Sequence, residues 1–171
     1  MYLVDANVLI EAKNRCYAFD IAPGFWTWLD HAHANSLACS IDKVRDELLD
    51  GNDQLADWVR GRRDFFRTVD EMAMAELKPL TQWATTRQYT QAAVNTFIGD
   101  TADCYLIAYA KAHGLTVVTH EQPQPTAKKR VLIPDACVAM GVTTCDTFGM
   151  LRSTNARLHL QTPEHSSDRE A

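Results

Sequence analysis

No stretch of the 171 residues approaches the roughly 18 consecutive apolar positions that a membrane-spanning helix needs, which argues against an integral membrane protein. The five cysteines are odd in number and contain no C-x-x-C pair, so neither a disulfide framework nor a cysteine-based zinc site is expected. Scattered, unpaired thiols fit a cytoplasmic protein. Positive charge is scarce: 17 Lys and Arg stand against 22 Asp and Glu, a net charge of −5. That balance opposes nucleic-acid binding by bulk electrostatics, so any such contact must be local. The sequence also lacks a Gly-rich phosphate loop and an H-E-x-x-H motif, which leaves P-loop nucleotide hydrolysis and zinc proteolysis without support. Internal repeats and low-complexity blocks are missing too. Met1-Tyr2-Leu3-Val4 reaches Asp5 with no basic lead-in and is not read as a secretory signal.

What is present is an ordinary globular composition, 46% hydrophobic and 23% charged, in a length suited to one domain. The reading is a domain over 1–157 and a polar, flexible tail over 158–171. Residues 2–10 read as a strand, a polar Asp5-x-Asn7 turn and a helix start. Pro23-Gly24 opens a helix whose Phe25, Trp26, Trp28 and Leu29 supply a core face. Ser36–Ser40 reads as a buried strand, with Ser40 capping a helix that runs to about Asp50. On that helix Ile41, Val44 and Leu48 form the apolar stripe, Glu47 lies at its margin and Asp46 points away. Residues 52–67 are amphipathic and carry Arg60, Arg62, Arg63 and Arg67, while Met72–Phe97 is helical with a break expected at Pro79. Ala102–His113 reads as a helix ended by Gly114, followed by a β-branched strand over Leu115–Thr119. A further strand is expected at Val131–Ile133. Strands alternating with helices predict an α/β fold, a three-layer α/β/α sandwich around a mostly parallel central sheet. In such sheets functional groups gather beyond the carboxyl ends of the strands.

Five acids fall at or near element ends: Asp5, Glu47, Asp103, Glu121 and Asp135. Singly each has an ordinary role, as a turn former, a helix-terminus charge or a solvated surface group. Brought into one partly buried cleft they would repel and take up protons, a conflict that a divalent cation resolves. Oxygen ligands without Cys or His suit Mg2+ or Mn2+, and the matching chemistry is metal-assisted phosphodiester hydrolysis.

Three ordered segments carry a resemblance: Tyr2-Leu3-Val4-Asp5-Ala6-Asn7-Val8-Leu9-Ile10, then Val44-x-x-Glu47-Leu48, then Asp103-x-x-Leu106-Ile107-Ala108 continuing through Gly114 to Thr119. Over about residues 2–151 the sequence resembles PIN domains. Nearest in pattern are the VapC-type endoribonuclease toxins and a PIN-like family of unknown function that shares the Pro134-Asp135-Ala136-Cys137 stretch. The resemblance implies cutting of RNA with Mg2+ or Mn2+, metal-site roles for Asp5, Glu47 and Asp103, and a supporting role for Asn7. The fourth acid of that pattern lies two positions beyond the strand threonine. Here Thr119-x-Glu121 offers Glu121, with Asp135 as the alternative. Catalytic duty is therefore expected of Asp5, Glu47, Asp103 and Asp135, metal ligation of these and Glu121, and support of Asn7 and Thr119. Lys128, Lys129 and Arg130 are candidate RNA contacts that would supply the local positive charge. The resemblance also implies a toxin of a type II toxin–antitoxin pair, with a small antitoxin protein as partner and a homodimer as a possible assembly. The candidate antitoxin patch lies near Trp26 and Trp28.

Other signals are discounted. His31 and His33 sit two apart and cannot share a helix face, and Cys104 beside Asp103 reads as a packed thiol. An aspartyl phosphatase would need a second acid where Asn7 stands. The alternative function is a PIN-like module that binds RNA or a protein partner without cutting.

Overall fold

The computed structural model describes residues 1–99 and 101–159, so the expected tail falls, from residue 160 onward, outside the described residues. Three apolar segments form the middle of a five-stranded, wholly parallel sheet: β1 (Tyr2–Val4), β2 (Ala38–Ile41) and β4 (Thr116–Val118). Leu3, Val4, Cys39, Ile41, Val117 and Val118 have no solvent exposure. Continuous rather than alternating burial is what a parallel sheet covered on both faces demands. The edge strands β3 (Phe66–Arg67) and β5 (Thr144–Cys145) complete the order β3-β2-β1-β4-β5.

Helices fill the connections: α1 (Ala6–Glu11), which runs on into a π-turn over Ala12–Cys16, α2 (Pro23–Ala34), α3 (Asp42–Leu49) and α4 (Gln54–Arg60) lie between β1 and β3. Between β3 and β4 come α5 (Glu71–Thr86), α6 (Gln91–Ile98) and α7 (Ala102–His113), and beyond β4 come α8 (Ile133–Met140) and α9 (Thr147–Ser153). The chain steps from β1 to β3 in one direction and from β4 to β5 in the other. Right-handed crossovers therefore put α1–α4 on one face and α5–α8 on the other. Within each face α3 packs on α1 and α4, and α7 on α5 and α8, while α3 also meets α7 across the two layers. The architecture is thus the expected α/β one, and one buried cluster runs from Leu3 to Leu151. Among the described residues no helix is long and apolar enough to cross a membrane.

Local chemistry explains both agreements and departures. Gly114 adopts the left-handed conformation at φ 63° and ends α7 as expected, because a side chain there would be strained although space is open. Ser40 does not cap α3. Its hydroxyl donates instead to the Val4 carbonyl at 2.6 Å, inside the sheet. Pro79 lies inside an unbroken α5. The carbonyl it leaves without a donor belongs to exposed Ala75, which water can satisfy, and packing against α7 holds the helix. The strand expected at Val131–Ile133 is not formed: Leu132 is an N-cap and Ile133-Pro134 opens α8, where proline's missing N–H costs nothing. Trp26, offered as part of a partner patch, is buried, donates its indole N–H to the Tyr17 carbonyl at 2.7 Å and stacks with Phe19. The Trp26 surface is therefore closed to a partner.

Candidate metal centre

The order β3-β2-β1-β4-β5 reverses between β1 and β4, and the crevice beyond their carboxyl ends is where ligands bind in open α/β sheets. Asp5 and Thr119 are the first residues past these two strands. Their backbones continue the ladder, Asp5 N–H donating to Val118 O and Thr119 N–H to Cys145 O. Both are 3% exposed. Asp5 occupies the N-cap position of α1 yet makes no capping bond. Its Oδ2 instead accepts the Thr119 hydroxyl at 2.9 Å, and Thr119 Oγ1 accepts from Asn7 Nδ2 at 3.0 Å and from the Glu121 backbone N–H at 3.2 Å. Asn7 Oδ1 in turn accepts the His120 backbone N–H. The Asp5-x-Asn7 turn and the Thr119-His120-Glu121 turn are thus laced together.

Asp103 arrives from the first turn of α7 and Glu121 from the loop after β4. Burial, the charge of Asp103 and then those of Glu121 and Glu47 push the Asp5 carboxyl up to about 7, against the downward pull of the Thr119 hydroxyl. Burial, then Glu121 and Glu47, raise Asp103 to about 6, with Arg130 opposing. Asp5 thus feels the charges of Asp103, Glu121 and Glu47, and Asp103 those of Glu121 and Glu47, from separate segments of the chain. Glu47 stands at the exposed rim of a 460 Å³ cavity that it shares with Asp103 and Arg130, its own carboxyl raised by partial burial and by Asp50.

Asp135 is placed apart. Its carboxylate accepts the Gln124 backbone N–H at 3.0 Å and faces a different cavity with Trp83 and Tyr89. Of the two candidates for fourth acid, Glu121 is the one turned toward Asp5 and Asp103. Its Oε2 accepts the Ile133 backbone N–H at 2.7 Å, and its Oε1 pairs with Arg130. Arg130, offered from sequence as an RNA contact, thus reaches the acids themselves, while Lys128 and Lys129 line the cavities beyond. The arginines of 60–67 are largely engaged elsewhere: Arg60 pairs with Asp57, and Arg62 forks onto Asp30 and lies over Trp58 at 4.7 Å.

Sequence reasoning passed over two neighbours of the site. His120 bridges Glu11 Oε2 (2.9 Å) and Thr147 Oγ1 (2.6 Å), fixing the turn from a third side. Cys137 is fully buried, and burial with the charges of Asp5 and Glu121 pushes its thiol up to about 12. Only position between Thr119 and Glu121 could have signalled the first, and the second was noted only as the end of the Pro134-Asp135-Ala136-Cys137 stretch, with no role at the site. Cys104 is a buried, inert thiol, as expected.

The donor set suits a hard cation, since it is all carboxylate and burial, then neighbouring negative charge, raises two of its members. Among the described residues, however, no three His, Cys, Asp or Glu side chains are grouped closely enough to enclose an ion.

Fold and site together define a parallel α/β domain with an acidic crevice at its switch point. Residues 2–158 match the family described as a domain of unknown function, DUF4411, and the chain belongs to that family. No curated protein matches the chain. Two of the solved structures similar to this chain follow. The crystal structure of FitAcB from Neisseria gonorrhoeae is 20% identical, covering 84% of this chain and 96% of that one with a TM-score of 0.48. The structure of FitAB bound to an IR36 DNA fragment is 19% identical, covering 95% and 99% with a TM-score of 0.49.

Proposed function

We propose that this chain is a Mg2+- or Mn2+-dependent endoribonuclease acting in the cytoplasm, the toxin half of a toxin–antitoxin pair. The observation that carries the nuclease reading is the meeting of Asp5 and Asp103, far apart in sequence, in the switch-point crevice, where burial and then the Asp103 charge raise the Asp5 carboxyl. RNA as substrate and an antitoxin as partner rest on the resemblance of the three motif segments to PIN-domain toxins. A bound divalent cation would supply water activation and neutralise charge on the attacked phosphate and leaving oxygen. Asp5, Glu47 and Asp103 would hold it, with Glu121 as the further acid of the crevice. Thr119 and Asn7 keep the Asp5 carboxylate oriented, the kind of outer contact that metal ligands depend on.

The test is cleavage of a fluorophore-quencher single-stranded RNA by the purified chain. Cleavage is expected with Mn2+, is abolished by excess EDTA and returns when Mn2+ is restored. Cleavage that persists in EDTA would refute the metal role.

A second reading, a module that binds RNA or protein without cutting, is favoured by the Arg130–Glu121 pair, which places a cation of the chain's own among the acids. Under it, RNA binds yet stays intact at every Mn2+ concentration.

A further inference from the structure

From the acidic crevice outward, the loop 119–132 borders two pairs of cavities, each pair sharing residues, and consecutive Lys128 and Lys129 line one cavity of each pair. The cavity at Glu47 meets the next, of 270 Å³, at Asp103 and Arg130. Lys129 lines that second one and Lys128 a third, of 410 Å³, which shares Arg87 and Tyr89 with a fourth of 400 Å³ beside Trp83. The loop is pinned along this path, because the Thr90 backbone N–H donates to Lys128 O at 2.8 Å just before α6 begins.

The path is unlike the rest of the molecule in charge. The chain carries −5 overall, yet Arg87, Lys128, Lys129 and Arg130 border these neighbouring cavities. Among the described residues none of Arg87, Lys128 and Lys129 is ion-paired with an acid, unlike Arg60 and Arg62. At its far end Trp83 and Tyr89 are half-buried and meet edge to face, ring centroids 5.9 Å apart at 68°, with the Arg87 guanidinium 6.0 Å from the Trp83 ring. Edge-to-face contact leaves ring face open for a further stacking partner. Asp135 borders the same end, and its charge disfavours a phosphate there while leaving a flat, uncharged ring welcome.

We infer that this groove is a track for single-stranded RNA. Phosphates lie along Arg130, Lys129 and Lys128, and an unpaired base stacks at Trp83 and Tyr89, several nucleotides from the point of cleavage. The inference rests on the proposed ribonuclease reading and adds the strand's path and its need for an unpaired base. Aromatic stacking plus a cationic edge is how proteins hold single strands with little sequence preference, whereas a duplex offers no free base face.

The test is fluorescence anisotropy of a labelled single-stranded oligoribonucleotide with the full chain in EDTA, so that binding is read without cleavage. Tyr89→Ala and Trp83→Leu are expected to weaken binding about tenfold or more, the scale of one lost base stack. Tyr89→Phe and Trp83→Phe should retain it, which separates stacking from folding defects, and duplex RNA should bind more weakly than single strands. Lys128→Ala with Lys129→Ala should lower the slope of log K against log salt by about 0.7 for each phosphate contact removed. If the wild-type chain binds no RNA, the ribonuclease reading and the track fall together. If it binds and the aromatic variants bind equally well, the track alone is overturned and the groove is left to a protein partner.

Discussion

Asp5→Asn removes Mn2+-dependent RNA cleavage by on the order of 10³-fold while the chain stays folded. The expected size follows from the charge stabilisation a metal supplies, several kcal/mol, at about 1.4 kcal/mol per factor of ten in rate. The substitution is nearly isosteric and removes a carboxylate that burial already disfavours, so the fold loses nothing it depends on. The Thr119 hydroxyl keeps an amide oxygen to donate to, and the turn between Asn7 and His120 persists. The checks are the quenched-RNA assay beside a thermal melt. Wild-type cleavage by a folded Asp5→Asn chain would remove Asp5 from the chemistry.

The second large effect is on stability. Asp5 and Asp103 bind protons near pH 7 and 6 in the folded chain, against an ordinary value of 3.8. Between about pH 4 and 7 the folded state therefore holds protons that the unfolded state has released, so stability must fall as pH rises through that window and level off above it. Asp53 and Asp70 act in the opposite sense. Hydrogen bonds from Lys13 and from the Ala73 backbone, respectively, hold them below the ordinary range, and their contribution is lost as pH falls below 4. Metal-free protein is accordingly expected to be most stable near pH 4 and to lose a few kcal/mol between pH 5 and pH 8, with tenfold in proton affinity worth about 1.4 kcal/mol. Urea midpoints measured in EDTA across pH 4.5 to 8 read the decline, and Asp5→Asn should flatten most of it. Mn2+ should restore stability at pH 8 and do little at pH 5, where the ligands are protonated. A midpoint that rises steadily from pH 5 to 8 without metal would show that the two acids are not held together.

Much of this was legible because the central strands and α7 are governed by short-range rules. Continuous apolar runs at Leu3-Val4 and Val117-Val118, and a glycine after His113, have few other solutions. The two edge strands escaped notice because each is two residues long and takes its pairing from a neighbour: Phe66 from Ser40, and Thr144 from Val117. Val131–Ile133 misled because three apolar β-formers look alike in a strand and at a helix start, and only Pro134 leaned toward the second. At the site, Asp5 and Asp103 could be named since a strand end and a helix start fix their places, whereas Asn7 and Thr119 were named through the resemblance. The choice between Glu121 and Asp135 depended on how the loop 121–132 folds. Its path is set by the Glu121 bond to the Ile133 backbone and the Lys128 bond to Thr90, contacts that no local pattern announces. Arg130 shows the same limit, adjacent in sequence to two lysines yet turned to the acids.

Calorimetric titration of Mn2+ into the full chain at pH 6.5, repeated in buffers of different ionisation enthalpy, probes the acidic crevice itself. Asp5 and Asp103 are partly protonated at that pH, so saturable binding at one site should release protons to the buffer, and Asp5→Asn should abolish both the binding and the release. Titration without binding heat, or binding that neither releases protons nor depends on Asp5, would contradict the account.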